Sequence, residues 1–331
     1  MRATFTIAMD AHYDYYSLAE IHEDPDDLFE KTHGFFEEVQ AMVETLTDQQ
    51  AAAYDSYTAE ILSGMIFGSN HIEKVGATHD ITLKICQDIF AGVQVPSEIP
   101  ERDKEYAKTR EFLITQNKKS DHEAIVRTRR EIVQHAHALK FIVMHVVIFN
   151  ESLSEELILK THKILCDGID LEDGDDSSTY AGIYRKVNVR AGFSTFTSPE
   201  LVPRAMESLV KSFNNDILKA EDEGELDPFA LAAKYSHKFV NIHPFVDGNG
   251  RTCRLILNTI LLKYAGIIVS LGEKEHDREE YLIVASRASE IEQIDEEDRG
   301  GKPAWAELSS LVIKESCKTF KTLRDKLNGK A

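Results

Sequence analysis

Basic residues are in short supply: 38 Lys and Arg face 57 Asp and Glu, a formal net charge of −19. So large a surplus of carboxylates repels phosphate backbones, which excludes a general nucleic-acid binder and predicts no nucleic-acid partner. Cysteine is scarce too. The four, Cys86, Cys166, Cys253 and Cys317, stand far apart without a C-x-x-C pair. That excludes the disulfide framework of a small secreted domain and predicts reduced thiols in a cytoplasmic or nuclear protein. The longest apolar stretches, such as Phe141 to Phe149, are broken by His145 and fall short of the ~20 residues that span a bilayer; no membrane segment is expected. Met1 to Tyr16 has acidic and aromatic residues where a secretory leader needs a basic start and an apolar run, so no secretion is expected. Fixed-period repeats and low-complexity tracts are also missing.

Apolar residues make up 42% of the chain and charged residues 29%, enough for a sizeable core in one large or two smaller domains. Most of the sequence reads as helix. From Asp26 to Leu46, Leu28, Phe29, Phe35, Phe36, Val39, Met42, Val43 and Leu46 recur at helical spacing, as one buried stripe requires. Further helices are predicted over Asp48 to Glu73, Asp80 to Phe90 behind a Thr78 cap, Glu123 to Phe149 and Ser154 to Asp167. Others follow over Pro199 to Leu218, Asp227 to Val240, Arg251 to Tyr264, Asp277 to Glu290 and Pro303 to Leu327. Pro96 and Pro100 open a connector. From Gly182 to Thr197 β-formers at odd spacing predict a short hairpin. The acidic runs Asp170 to Asp176 and Asp295 to Asp298 read as solvated loops.

One stretch carries chemistry: His243-Pro244-Phe245-Val246-Asp247-Gly248-Asn249-Gly250-Arg251-Thr252-Cys253-Arg254. Gly248, Asn249 and Gly250 allow unusual dihedrals, so consecutive N–H groups can converge on an anion. The helix that follows adds its own unpaired N–H groups and the positive end of its dipole. Asp247 offers a hard oxygen to Mg²⁺, and Arg251 and Arg254, three apart, can grip phosphate oxygens. His243 has the reference pKa, ~6.5, of a general base near neutrality. Phe245 is expected to point inward. The composite is a nucleotide-polyphosphate site with a metal and a proton acceptor. The P-loop lysine and the kinase motifs are missing.

These residues fill every specified position of H-x-F-x-[DE]-G-N-G-R-x-x-R, and the segment resembles the signature of Fic domains. The likeness extends over about Glu123 to Glu290, through Glu131-Ile132-Val133, Ala138-Leu139, Gly182-Ile183-Tyr184-Arg185, Val202-Pro203, and Asp277-Arg278 with Tyr281. It implies an all-α fold, a Fic-type helical bundle with a short β-hairpin flap, and a transferase moving AMP from ATP to a Ser, Thr or Tyr hydroxyl of a target protein. By the same resemblance His243 is the base and Asp247 holds Mg²⁺. Gly248, Asn249, Gly250, Arg251 and Thr252 belong to the phosphate loop, and Arg254 takes the γ-phosphate. Ala191, Gly192, Phe193 and Ser194 form the flap that aligns the target by strand addition. Tyr281 and Leu282 lie against the adenine, with Ser289 approaching it, and a homodimer fits the family.

Upstream, Ser69-Asn70-His71-Ile72-Glu73 resembles the family's inhibitory motif, [ST]-x-x-x-E-[GN], with Lys74 where Gly or Asn is usual. The resemblance implies that Glu73 pairs with Arg254, a carboxylate competing with a phosphate for one guanidinium. Lys74 bears on the turn after Glu73 more than on that charge pair. The chain divides accordingly into an N-terminal helical segment (1–95) with the inhibitory helix, a connector (96–122), a Fic core (123–290) and a C-terminal helix (291–331). Two other readings are transfer of another group or removal of AMP, and a non-catalytic nucleotide-binding module. His135 and His137, two apart on a helix, make poor metal ligands and read as packing or surface residues. No chemistry is assigned to His237, and Cys253 reads as small filler.

Overall fold

The computed structural model describes residues 5–10, 12–15, 24–171, 174–190, 196–294 and 301–330. Among them are eleven α-helices: α1 (Pro25–Val43), α2 (Asp48–Ile72), α3 (His79–Phe90), α4 (Lys104–Thr115), α5 (His122–Val143), α6 (Glu155–Cys166), α7 (Val202–Glu223), α8 (Pro228–Ile242), α9 (Asn249–Ala265), α10 (Glu275–Glu292) and α11 (Ala306–Leu327). The all-α expectation holds.

Helix starts follow local chemistry. Thr47 and Gln50 form a reciprocal capping box before α2, Thr78 accepts the Ile81 N–H before α3, and Ser154 accepts the Leu157 N–H before α6. Asp227 caps α8 with two backbone N–H groups and Pro228 in the first turn. Left-handed glycines, Gly224 and Gly266, end α7 and α9.

The antiparallel pair α8 and α9 forms the centre, and from Asn249 to Leu261 only Gly250 of α9 escapes full burial. Around this pair stand α5 and α6 on one side and α11 on another, with α1 against α11 and α2 reaching α3, α5, α10 and α11. The apolar stripe of α1 enters the same core as α8 and α11 through Phe29, Phe36 and Val39. The segments 1–95, 123–290 and 291–331 therefore share one core. The connector holds α4, whose Tyr106 and Leu113 cluster with Ile99 and Ile125 of α5.

Three local features differ from the sequence expectation. The long helix predicted to Phe149 leaves α geometry at Met144 for a π-helical turn to Ile148. By length and composition His122–Ile148 could cross a membrane, but 56% of its most apolar window is buried inside the fold. The hairpin expected over Gly182 to Thr197 shows no strand in its described part, and Ala191, Gly192, Phe193 and Ser194 lie outside the described residues. In that described part the Arg185 guanidinium donates to the carbonyls of Val187, at 3.0 Å, and Thr197. A small sheet forms elsewhere, β1 (Thr6–Ile7) pairing in parallel with β2 (Glu225–Leu226).

Candidate active site

The signature loop joins α8 to α9. Its first residue, His243, closes α8 in the left-handed region at φ 51°, with its N–H on Phe239 O at 3.1 Å. Its last turn begins at Gly248, left-handed at φ 76°, where a Cβ would lie 3.0 Å from both Cys166 Sγ and His162 Nε2. Glycine is required there on two counts, conformation and space. From that point the first N–H groups of α9 face the loop mouth without intrahelical acceptors, at the positive end of the helix dipole.

Asn249 sets the shape of the loop. Its buried amide accepts from Phe245 N–H at 2.9 Å and donates to Phe245 O at 2.8 Å. The side chain is thus spent on the loop itself, and only its backbone N–H can serve an anion. Phe245 points inward and is fully buried, as expected, stacked on His162 at 3.5 Å with rings 6° apart. Thr252 also turns inward: its side chain is buried, and its N–H is bonded to Gly248 O at 3.0 Å. Its hydroxyl is buried without a hydrogen-bond partner.

His243 Nδ1 lies 3.1 Å from Val240 O. A carbonyl only accepts, so Nδ1 carries the hydrogen and Nε2 keeps its lone pair. Burial, and then the charge of Arg185, hold the imidazole below its ordinary pKa against the Val240 hydrogen bond and the charges of Glu73 and Asp247. Phe196 stacks on the ring at 3.9 Å. The result is an oriented imidazole whose Nε2 lone pair can accept a proton.

Two residues with no role assigned from the sequence hold this loop. Arg185 donates Nε to His243 O at 2.6 Å, and its own N–H goes to Pro244 O at 2.9 Å. His162 is fixed from both sides: Nδ1 accepts the Gly182 N–H at 2.8 Å, so Nε2 is the donor to Asp247 O at 2.9 Å. Burial pushes the His162 pKa down to about 4. For Arg185 the Gly-x-x-Arg stretch was a visible signal; for His162 there was none.

Charge is concentrated around the cradle. Arg251, buried, reaches Asp247 Oδ2 with one Nη at 3.2 Å, while its Nε and other Nη are buried without a hydrogen-bond partner. Arg254, also buried, donates Nε to Ser69 Oγ at 2.8 Å and Nη2 to Ser69 O at 2.9 Å and Glu73 Oε1 at 2.6 Å. Burial works against its charge, but the carboxylate of Glu73, together with Tyr281 and Cys253, raises its pKa overall. Glu73 fills the mouth: a Cβ on Gly250 would be 2.2 Å from its Oε1. The turn that carries it forms with Lys74 left-handed at φ 57°, the conformation that explains why glycine or asparagine is usual there. Arg278 of α10 donates to His71 O at 3.1 Å and to Ile72 O at 3.4 Å, capping the end of α2.

Tyr281 of α10 is buried with its ring 5.7 Å from the Arg254 guanidinium carbon. Leu282 is partly exposed, and Ser289 lies eight residues further along α10, about 12 Å by helical rise. Asp247 keeps a half-exposed carboxylate (44%) at the mouth. Mg²⁺ on a nucleotide takes one or two carboxylates with phosphate oxygens supplying the rest, and this single hard donor fits that need. No group of three or more metal-binding side chains occurs among the described residues.

Residues 152–261 match the Fic/DOC family. A Fido domain-containing protein of Dictyostelium discoideum is 41% identical over 83 residues, 25% of this chain and 55% of that one. Protein adenylyltransferase Fic of Nematostella vectensis is 35% identical over 153 residues, 45% of this chain and 32% of that one. The chain thus spans between about a third and about half of the length of these relatives. In fold it is similar to a Fic domain-containing signalling protein of Bacteroides thetaiotaomicron, with TM-score 0.66, 19% identity, 91% of this chain and 99% of that one covered. A segment of Fic-1 from Caenorhabditis elegans gives TM-score 0.63 and 19% identity over 95% of this chain and 75% of that one. Over residues 152–261 the chain is thus similar to the Fic/DOC family, and its helical fold is similar to that of Fic domain-containing proteins.

Proposed function

We propose that the protein is an autoinhibited protein adenylyltransferase, moving AMP from ATP to a Ser, Thr or Tyr hydroxyl of a target protein. The observation that carries the reading is the neutral His243 imidazole, Nε2 free, beside a helix N-terminus and two buried arginines. The name protein adenylyltransferase on relatives at 30% identity and above supports it.

His243 takes the proton from the target hydroxyl while that oxygen attacks the α-phosphorus of ATP. The bond from the α-phosphorus to the bridging oxygen breaks, and pyrophosphate leaves with the electron pair. The N–H groups of Gly248, Asn249 and Gly250 and the α9 dipole stabilise negative charge on the phosphates. Asp247 would hold Mg²⁺, which supplies charge neutralisation on the triphosphate when bound. Arg254 receives the γ-phosphate once Glu73 has left it.

The test is label transfer from α-labelled ATP to protein in a cell extract by a Glu73→Gly variant, with mass spectrometry of the labelled target. An added AMP lost on further changing His243→Ala supports the reading; another added group, or labelling that survives the loss of His243, overturns it.

A further inference from the structure

Behind the loop, α5 carries two buried polar side chains that adenylyl transfer does not use. The Glu131 carboxylate accepts the Gly76 N–H at 3.0 Å and is approached by Arg127 Nε at 3.3 Å. One turn on, the fully buried His135 places Nδ1 2.8 Å from Asn70 Oδ1. Asn70 stands three residues before Glu73 and Gly76 three residues after it. These two contacts therefore bracket the carboxylate that occupies Arg254.

The segment between them is folded back on itself. Lys74 N–H bonds to His71 O and Val75 N–H to Asn70 O, each at 3.0 Å, and Gly76 turns left-handed at φ 78°. A Cβ on Gly76 would lie 3.2 Å from the Asn70 side chain, so the two residues that α5 holds also pack on each other. Glu131 and His135 both feel the charge of Arg251. Of seven buried side-chain polar atoms without partners among the described residues, five belong to Asn70, His135, Arg251 and Thr252. The hydrogen bonds to Asn70 and Gly76 are thus the main satisfied links of this polar layer, and losing either one leaves a further buried group unpaired.

We propose that Glu131 and His135 are positioning residues for the inhibitory carboxylate: by holding Gly76 and Asn70 they place Glu73 on Arg254, and loosening either contact opens the ATP site. The inference rests on the adenylyl-transfer reading only for its activity readout. It differs from the Glu73–Arg254 pair itself, because neither α5 residue touches Arg254 or the loop mouth by hydrogen bond.

The experiment compares Asn70→Ala, Glu131→Ala and the milder Glu131→Gln, each with Glu73 present and in the Glu73→Gly background, after melting curves show folded protein. ATP affinity in Mg²⁺ and label incorporation are measured together with amide exchange across residues 69–78. With Glu73 present, Asn70→Ala and Glu131→Ala should each tighten ATP binding about tenfold, the scale of one lost buried hydrogen bond; Glu131→Gln should restore most of the wild-type value, and neither change should act without Glu73. Amide exchange over 69–78 should rise in the two alanine variants. Unchanged exchange and affinity in folded variants would overturn the proposal, as would equal effects in both backgrounds, which mean direct action on the nucleotide site. If Glu73→Gly itself takes up no ATP, the adenylyl-transfer reading falls, and the exchange measurement alone still decides whether α5 holds the segment.

Discussion

Glu73 Oε1 and Arg254 Nη2 meet at 2.6 Å, although 181 residues of chain separate them. The same Nη2 also reaches Ser69 O, and Nε reaches Ser69 Oγ. One guanidinium is therefore held by the end of α2 through both backbone and side chains.

Glu73→Gly leaves Arg254 its two Ser69 contacts, so the cost to folding should be small, about 1–2 kcal/mol for a partly exposed pair. ATP affinity should rise by at least tenfold. Calorimetry with ATP and Mg²⁺ on both proteins checks this, and equal affinities would remove Glu73 from any inhibitory role.

Lys74 holds a left-handed φ of 57° that costs a side-chain-bearing residue about 1 kcal/mol relative to glycine. Lys74→Gly should relieve that strain in the inhibited form, raising the melting temperature and lowering basal labelling roughly fivefold. In the Glu73→Gly background the labelling effect should vanish.

Activity should be kept below pH 6.5. His243 is held below its ordinary pKa, chiefly by burial and then by Arg185, and a general base works while unprotonated. The acid limb of kcat/KM therefore lies below ~6.5, the histidine reference value. A limb at or above that value in a Glu73→Gly variant would contradict the neutral-base geometry.

His162 links the loop to acid stability. Its folded pKa is about 4, so between ~6.5 and about 4 the unfolded chain binds a proton that the native one does not. Stability is then full above ~6.5 and falls with pH through that window, by about 3 kcal/mol at its lower end. Denaturant melts at pH 7.5, 6 and 4.5 should show a shallower pH slope for His162→Gln than for wild type. Equal slopes would refute the assignment.

Gly248→Ala should disrupt the loop, because a Cβ meets Cys166 Sγ and His162 Nε2 at 3.0 Å while φ stays at 76°. A loss of about 2 kcal/mol is expected, with labelling reduced at least tenfold. Denaturant melts and the label assay on a Glu73→Gly protein measure both.

Most helices could be read in the sequence, because caps such as Thr78 and Ser154 and the apolar period of α1 act within a turn or two. The signature loop was legible for the same reason: a glycine-rich turn before a helix is built from consecutive residues. The described part of the expected hairpin shows no strand, and there the Val187 and Thr197 carbonyls take the Arg185 side chain as partner. The side chains of Asn249 and Thr252 are buried, and that of Asn249 bonds to the Phe245 backbone, a contact that packing and not the sequence pattern displays. His135 read as a packing or surface histidine and proved to be a hydrogen-bonding partner of Asn70.

Local chemistry in the sequence determined that residues 243–254 place an imidazole, a carboxylate and a glycine-rich helix start side by side, because those groups are near neighbours in the chain. Only tertiary structure decided which groups surround them. His162 meets Asp247 across 85 residues, Arg185 meets His243 across 58, and Glu73 meets Arg254 across 181. No spacing rule operates over such distances; they are set by how buried faces of α2, α5, α6, α8 and α9 exclude water together, and the polar groups carried inward then take whichever partners that packing leaves within reach.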